Sequence, residues 1–169
     1  LAVRGRLVDP GTATYIIVRN INYPNVCVYR CRFCAFYRTP ADADAYLLPQ
    51  GEIIAKVAET VAAGGTAILL QGGVHPSLRL ADYVALLRGL KEAFPHVHLH
   101  AFSVPEILFV AKVGRMPVRE VLERLIAAGL DSIPGGGAEI LEDDTRRPIW
   151  SRAKAPTPES RPGHRRAQE

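Results

Sequence analysis

All three cysteines of the chain fall within eight residues, in the run Cys27-Val28-Tyr29-Arg30-Cys31-Arg32-Phe33-Cys34. An odd and local set of thiols is not a disulfide framework, so ligation is the chemistry to consider. A zinc site completed by a distant histidine, or a set of unrelated buried thiols, would use the same residues. Neither accounts for three thiols without a fourth. An iron–sulfur cubane is usually held by four thiolates, and one held by three leaves an iron open to an exogenous ligand. Other residues along the chain carry weaker chemical signals. His98 and His100 alternate onto one face of a strand, and His100, nearer its C-terminal end, is placed either to meet a substrate or to be a satisfied core histidine. Ser103 and Glu106 follow; Glu106 serves equally as an acid in the first turn of a helix. His100 and Glu106 are the catalytic candidates. Gly72 and Gly73, and the run Gly135, Gly136 and Gly137, form loops that either admit close backbone approach to a ligand or simply turn tightly.

These residues must be positioned by the elements around them, and the apolar pattern predicts alternating strands and helices from about Thr14 to Pro134. Strands are expected over 14–22, 67–70, 97–102 and 130–133. Helices are expected over 52–63, where Ile53, Val57 and Val61 form a stripe before Gly64-Gly65, and over 80–94, where Leu80, Val84, Leu87, Leu90 and Phe94 recur at spacings of three and four. Two further helical pieces cover 105–113 and 118–128, with Gly129 as the stop. Such βα order builds either a parallel barrel or an open doubly wound sheet, and both place sites at strand C-termini. The cysteine run, both glycine loops and the Ser103–Glu106 segment all lie there.

Composition narrows the partners. The chain has 169 residues, 48% apolar and 22% charged, as in one ordinary globular domain. No run approaches the ~18 apolar residues of a membrane span and the first ten residues hold no signal-peptide core, so a cytoplasmic protein without a membrane partner is expected. The net charge of +4 is concentrated in residues 148–169, which carry +3, leaving +1 for residues 1–147. A near-neutral body argues against nucleic acid as a partner.

The spacing C-x3-C-x2-C, with the aromatic Phe33 before the last cysteine, resembles the signature of the radical S-adenosylmethionine superfamily. The resemblance implies a 4Fe-4S cluster held by Cys27, Cys31 and Cys34. S-adenosyl-L-methionine would sit on its open iron, and a one-electron reductant such as flavodoxin or ferredoxin would supply the electron that releases a 5′-deoxyadenosyl radical. It implies cofactor contacts for Gly72 and Gly73, where the superfamily often carries Gly-Gly-Glu; Val74 stands here in place of the acid. Phe33 near the adenine, Ser103, and Gly135, Gly136 and Gly137 are the further cofactor candidates. The wording of residues 19–27, 71–76, 98–103 and 132–139 resembles, more narrowly, the cyclic dehypoxanthine futalosine synthases. That resemblance implies ring closure of the small molecule dehypoxanthine futalosine on the route to menaquinone. Aminofutalosine synthases and the radical subunits that make the deazaflavin FO share the cysteine loop and remain alternatives.

A superfamily barrel has six βα units, needing ~190 residues by scaling from an eight-unit barrel. About four units are visible, so the expected fold class is α/β, a partial (β/α)6 TIM-like barrel over residues 1–147. Residues 148–169, rich in Pro and Arg, are expected to be a disordered basic tail. Its abrupt onset suggests translation in a shifted reading frame, and Leu1 in place of Met suggests a piece of something longer. Independent stability is not expected of so open a sheet. An inactive remnant, or a small metal-binding module, is the alternative from another class.

Overall fold

The computed structural model describes residues 4–9, 11–13, 15–136, 140 and 142–149. Its elements run α1 (Arg4–Leu7), β1 (Val18–Ile21), α2 (Gln50–Ala62), β2 (Ala67–Leu70), α3 (Leu80–Ala93), β3 (His98–Ala101), α4 (Val104–Gly114), α5 (Val118–Ala127) and α6 (Asp143–Arg146). The strands form one parallel sheet in the order β1-β2-β3, with Val18 opposite Ala67 and Ala67 opposite His98. Each successive strand adds to the same side, and an isolated parallel bridge from His100 to Ser132 continues the progression. An order without reversal is an arc of a barrel; a doubly wound sheet would turn back on its first strand.

Period-two alternation separates the two faces of the sheet. Ile21, Ile68, Leu70, Leu99 and Ala101 point into one continuous core with Ile53 and Val57 of α2, Leu86, Leu87 and Leu90 of α3, Val110 of α4, and Val121 and Leu125 of α5. The opposite face carries Val18, Asn20, Leu69, His98 and His100, none of them fully buried. α3 follows its expected stripe, whereas in α2 Ile53 and Val57 are buried and Val61 is exposed; Gly129, at φ 110°, takes the positive φ that lets the chain leave α5 and enter Leu130.

Three strands are shorter than their sequence suggests, β3 by one residue at each end of the expected 97–102. β1 begins at Val18 rather than at Thr14 because β2, its partner, begins only at Ala67 after the Gly64-Gly65 turn, leaving Tyr15, Ile16 and Ile17 exposed. The expected fourth strand over 130–133 is reduced to the Ser132 bridge. Ala101 N–H donates to the Ser132 carbonyl at 2.9 Å, but the Leu99 N–H, which a regular strand would engage through its backbone, donates instead to the Asp131 side chain at 2.7 Å. A carboxylate has taken that rung of the ladder, and the same oxygen, Oδ2, also accepts from Lys91 Nζ at 2.7 Å. Pro148 and Ile149 are the described part of the predicted tail, and the Ile149 carbonyl accepts from Arg32 N–H at 3.1 Å. Residues 150–169 lie outside the described residues. No described helix is long and apolar enough to cross a membrane.

Leu87 of α3 is fully buried in the core. Replacing it by Ala should lower unfolding free energy by about 2–5 kcal/mol, read as a reduced urea midpoint at constant slope.

Candidate functional site

The cysteine loop leaves β1 through Asn22-Tyr23-Pro24 and is closed on itself by a buried amide. Asn25, 4% exposed, donates from Nδ2 to the Asp44 carbonyl at 2.8 Å and accepts the Tyr46 N–H on Oδ1 at 2.7 Å. Its backbone carbonyl accepts from Arg38 N–H at 2.8 Å, and the Arg38 carbonyl accepts from Cys27 N–H at 3.1 Å. The Arg38 guanidinium reaches Asp44 at 2.7 Å and crosses the base of the loop. Twelve residues therefore close over one side chain whose polar atoms are paired. Cys31 is buried while Cys27 and Cys34 are half-buried, and no disulfide joins them. Tyr29 lies within electrostatic reach of Cys27 and Cys31; burial first, then those two sulfurs, push its hydroxyl up to about 12.

The glycine loop after β2 is pressed onto this cysteine loop. Gly73 N–H donates to the Pro24 carbonyl at 2.9 Å, and Val28 N–H donates to the Val74 carbonyl at 3.0 Å. A Cβ on Gly72 would overlap Pro24, and one on Gly73 would overlap the Val26 carbonyl and come to 3.0 Å from the Cys27 Cβ. At these two positions the missing side chain is a steric requirement of loop contact.

A third loop joins them from below. Glu106, fully buried near the start of α4, accepts the Tyr23 hydroxyl on Oε1 at 2.6 Å. Its Oε2 accepts both the N–H and the hydroxyl of Ser103 at 2.7 Å, and Gly72 N–H contributes as well. Burial pushes the carboxyl up and these donors pull it back, leaving it raised to about 7. Tyr23, Tyr83 and Phe102 pack edge to face around it, with Tyr83 and Phe102 centroids 4.7 Å apart.

The remaining candidates are more dispersed. Phe33 is half exposed, at 51%, and Ser103 is the residue from which α4 springs. His100 lies half-buried on the open face, its Nδ1 2.6 Å from Ser132 Oγ. Gly135 has open space where a Cβ would stand, and a Cβ on Gly136 would come to 3.9 Å from Gln71 Oε1, so that loop faces the glycine loop. Gly137 lies outside the described residues. Sequence reasoning did not single out Asn25 or Tyr23, although both fall in the quoted run 19–27. A buried amide and a buried phenol announce themselves by their partners, which are distant in sequence.

Among the described residues no three Cys, His, Asp or Glu side chains are gathered closely enough to hold an ion. The donor set nevertheless suits an iron–sulfur group: three thiols on one loop at strand C-termini, with a side-chain-free loop packed beside them.

Residues 21–157 match the model of the radical SAM superfamily. The chain belongs to the radical SAM superfamily. Enzymes of this superfamily use a 4Fe-4S cluster and S-adenosylmethionine. The chain is 51% identical over 133 residues to cyclic dehypoxanthine futalosine synthase of Halalkalibacterium halodurans, covering 79% of this chain and 36% of that protein. It is 46% identical over 140 residues to the 5-amino-6-(D-ribitylamino)uracil--L-tyrosine 4-hydroxyphenyl transferase of Gloeobacter violaceus, covering 79% and 36%. The chain thus spans about a third of the length of these curated relatives. The hydrogenase maturase HydG of Carboxydothermus hydrogenoformans aligns with a TM-score of 0.44 at 17% identity, over 70% of this chain and 35% of that one. With the superfamily established, the parallel arc of β1, β2 and β3 is part of a radical SAM α/β barrel.

Two measurements check this geometry. Glu106 has a folded value near 7 against 4.5 for a free carboxyl, so the native state holds a proton that the unfolded chain releases between those pH values. Stability should therefore fall as pH rises from about 4.5 through 7, by about 3 kcal/mol in all, and Glu106→Gln should flatten the dependence of the urea midpoint on pH. Gly73→Ala should lower stability by about 1–3 kcal/mol and speed alkylation of Cys27, because the cysteine loop must move. Gly51→Ala, at a helical site with open space, should do neither.

Proposed function

We propose that this chain is the cluster-bearing part of a radical SAM enzyme that converts dehypoxanthine futalosine to cyclic dehypoxanthine futalosine, a step of menaquinone biosynthesis. The observation that carries the reading is the cysteine loop seated on Gly72 and Gly73 at the strand C-termini, in a sequence 51% identical to a synthase of that name. In this reading the thiolates of Cys27, Cys31 and Cys34 hold three irons of a 4Fe-4S cluster and leave the fourth for S-adenosylmethionine. The bound group supplies a 5′-deoxyadenosyl radical after one-electron reduction by a flavodoxin or ferredoxin. The protein's part is placement. Gly72 and Gly73 present backbone to the methionine portion, Phe33 covers the adenine, and Ser103 with the loop of Gly135, Gly136 and Gly137 completes the cofactor seat. The Glu106 clasp fixes the cysteine and glycine loops relative to each other, and His100 faces the substrate from the open side of the sheet. Enclosure of that side keeps the radical from solvent. The reaction is cytoplasmic, where thiols stay reduced.

A second reading is transfer of the tyrosine 4-hydroxyphenyl group, favoured by the 46% identity to the Gloeobacter violaceus protein. Aminofutalosine synthesis is a third, carried by the shared loop wording alone.

Anaerobic reconstitution should yield brown protein with about four irons per chain, and replacing any one of the three cysteines by Ala should abolish the absorbance. Supplied with S-adenosylmethionine, a reductant and each candidate substrate in turn, the protein bearing this sequence should release 5′-deoxyadenosine with dehypoxanthine futalosine. The product should be identified by mass. Colourless, iron-free protein overturns the cluster reading, and turnover of only another substrate replaces the reaction.

A further inference from the structure

The open face of the sheet holds one polar cluster that the cofactor seat does not use. Ser132 Oγ lies 2.6 Å from His98 Nε2 and 2.6 Å from His100 Nδ1. The histidines stand two residues apart on β3, rings near parallel with centroids 6.5 Å apart, and the Ser132 bridge brings the hydroxyl between them. His98, at the N-terminal end of the strand, is exposed; His100, one step nearer the C-terminal end, is half-buried.

A serine hydroxyl has one hydrogen and two lone pairs. At 2.6 Å from two ring nitrogens it donates to no more than one, so the other ring must donate to it. Two neutral imidazoles joined this way carry the same tautomer: either both hold their hydrogen on Nδ1 or both hold it on Nε2. In either state a continuous chain of hydrogen bonds runs from one outer nitrogen to the other. Asp131, next to Ser132 in the chain, accepts its hydrogen bonds from Lys91 and the Leu99 N–H rather than from the histidines, and lies within electrostatic reach of His98. Burial, and then the neighbouring His98, hold His100 below the ordinary imidazole value, which keeps it neutral near pH 7.

We propose that His98, Ser132 and His100 form a proton relay along the open face of the sheet, His100 exchanging a proton with the substrate and His98 exchanging one with solvent. The proposal deepens the reading of a radical ring closure and rests on it for the identity of the substrate. A proton arriving on His100 Nε2 displaces the Nδ1 hydrogen onto Ser132 Oγ. The hydroxyl hydrogen passes to His98 Nε2, and His98 Nδ1 releases its hydrogen to water. One proton enters and one leaves, with no change of net charge and no electron moved; reversal through solvent restores the starting tautomers. Aromatic ring substitution by a carbon radical ends with loss of one ring proton and one electron; the electron would go to a one-electron acceptor of the iron–sulfur class, and a neutral imidazole beside that ring is a suitable acceptor for the proton. His100 is the group that meets substrate, and Ser132 is a positioning and relay residue.

The resting protein provides the first test. Long-range proton–nitrogen NMR of the full chain labelled with 15N-histidine, at a pH where both rings are neutral, should find His98 and His100 in the same tautomer, assigned through His98→Gln and His100→Gln. Opposite tautomers overturn the relay. In the assembled enzyme, the ratio of cyclised product to 5′-deoxyadenosine should fall about 100-fold in Ser132→Ala and recover in Ser132→Thr, which keeps the hydroxyl. An unchanged ratio in Ser132→Ala, or a loss that Ser132→Thr shares, overturns it. If the unsubstituted enzyme releases no 5′-deoxyadenosine with dehypoxanthine futalosine, the proposed reaction fails, while the tautomer measurement still decides whether the hydrogen-bonded relay exists.

Discussion

One carboxylate, sealed from water, holds the working end of this fold together. Glu106 belongs to the first turn of α4, after β3, yet it accepts from Tyr23, which leads into the cysteine loop, and from Gly72, which opens the glycine loop. Three strand ends that are far apart in sequence therefore share one acceptor. Burying an acid is unfavourable unless donors surround it, and here the Tyr23 hydroxyl, both polar hydrogens of Ser103 and a backbone N–H do so. The arrangement is demanding, because loss of the Tyr23 hydroxyl takes from the buried Oε1 its side-chain donor. It also gives the loops a common origin, and the positions of Cys27 and Gly73 are measured from it.

Above that origin the cysteine loop is organised by an amide rather than by an apolar core of its own. Asn25 stands in for a backbone turn, pairing with 44 and 46 across the loop while its carbonyl engages Arg38. A side chain with one acceptor and two donors can hold chain segments that run in different directions, which no aliphatic residue can do. The loop thus keeps its shape with Cys31 buried and Cys27 and Cys34 half-buried. The same division of labour recurs across the sheet: aliphatic residues on the helix side supply adhesion, and the other face carries polar residues, Asn20 and the mutually hydrogen-bonded His98, His100 and Ser132.

Helices α2 to α5 and strand β2 were legible because the helical periodicity is long and the stops are explicit, as in Gly64-Gly65 and Gly129; the one-turn helices α1 and α6 carry no such pattern. The superfamily was legible because three thiols at that spacing serve few purposes. Strand four was not, since Leu130 to Ile133 has strand-like composition and nothing local reveals that Asp131 will turn back to take the Leu99 N–H. Glu106 was placed correctly at the head of a helix as one of two alternatives, but its four donors come partly from residues 83 and 34 positions away, beyond any window of local pattern. Ser132 was passed over for the same reason: its meaning lies in two histidines on another strand.

Phe102 has a further consequence. It is fully buried with φ at 60°, a conformation that bulky residues occupy at a penalty of ~1–3 kcal/mol, and its ring lies edge-on to Tyr23 and Tyr83. Glycine would relieve the backbone but empty the ring's space, and other large residues would keep the strain without the aromatic contacts. The position is therefore an evolutionary ratchet: once the ring is seated, single substitutions lead downhill in stability, and the corner at the end of β3 can be altered only together with its two tyrosines.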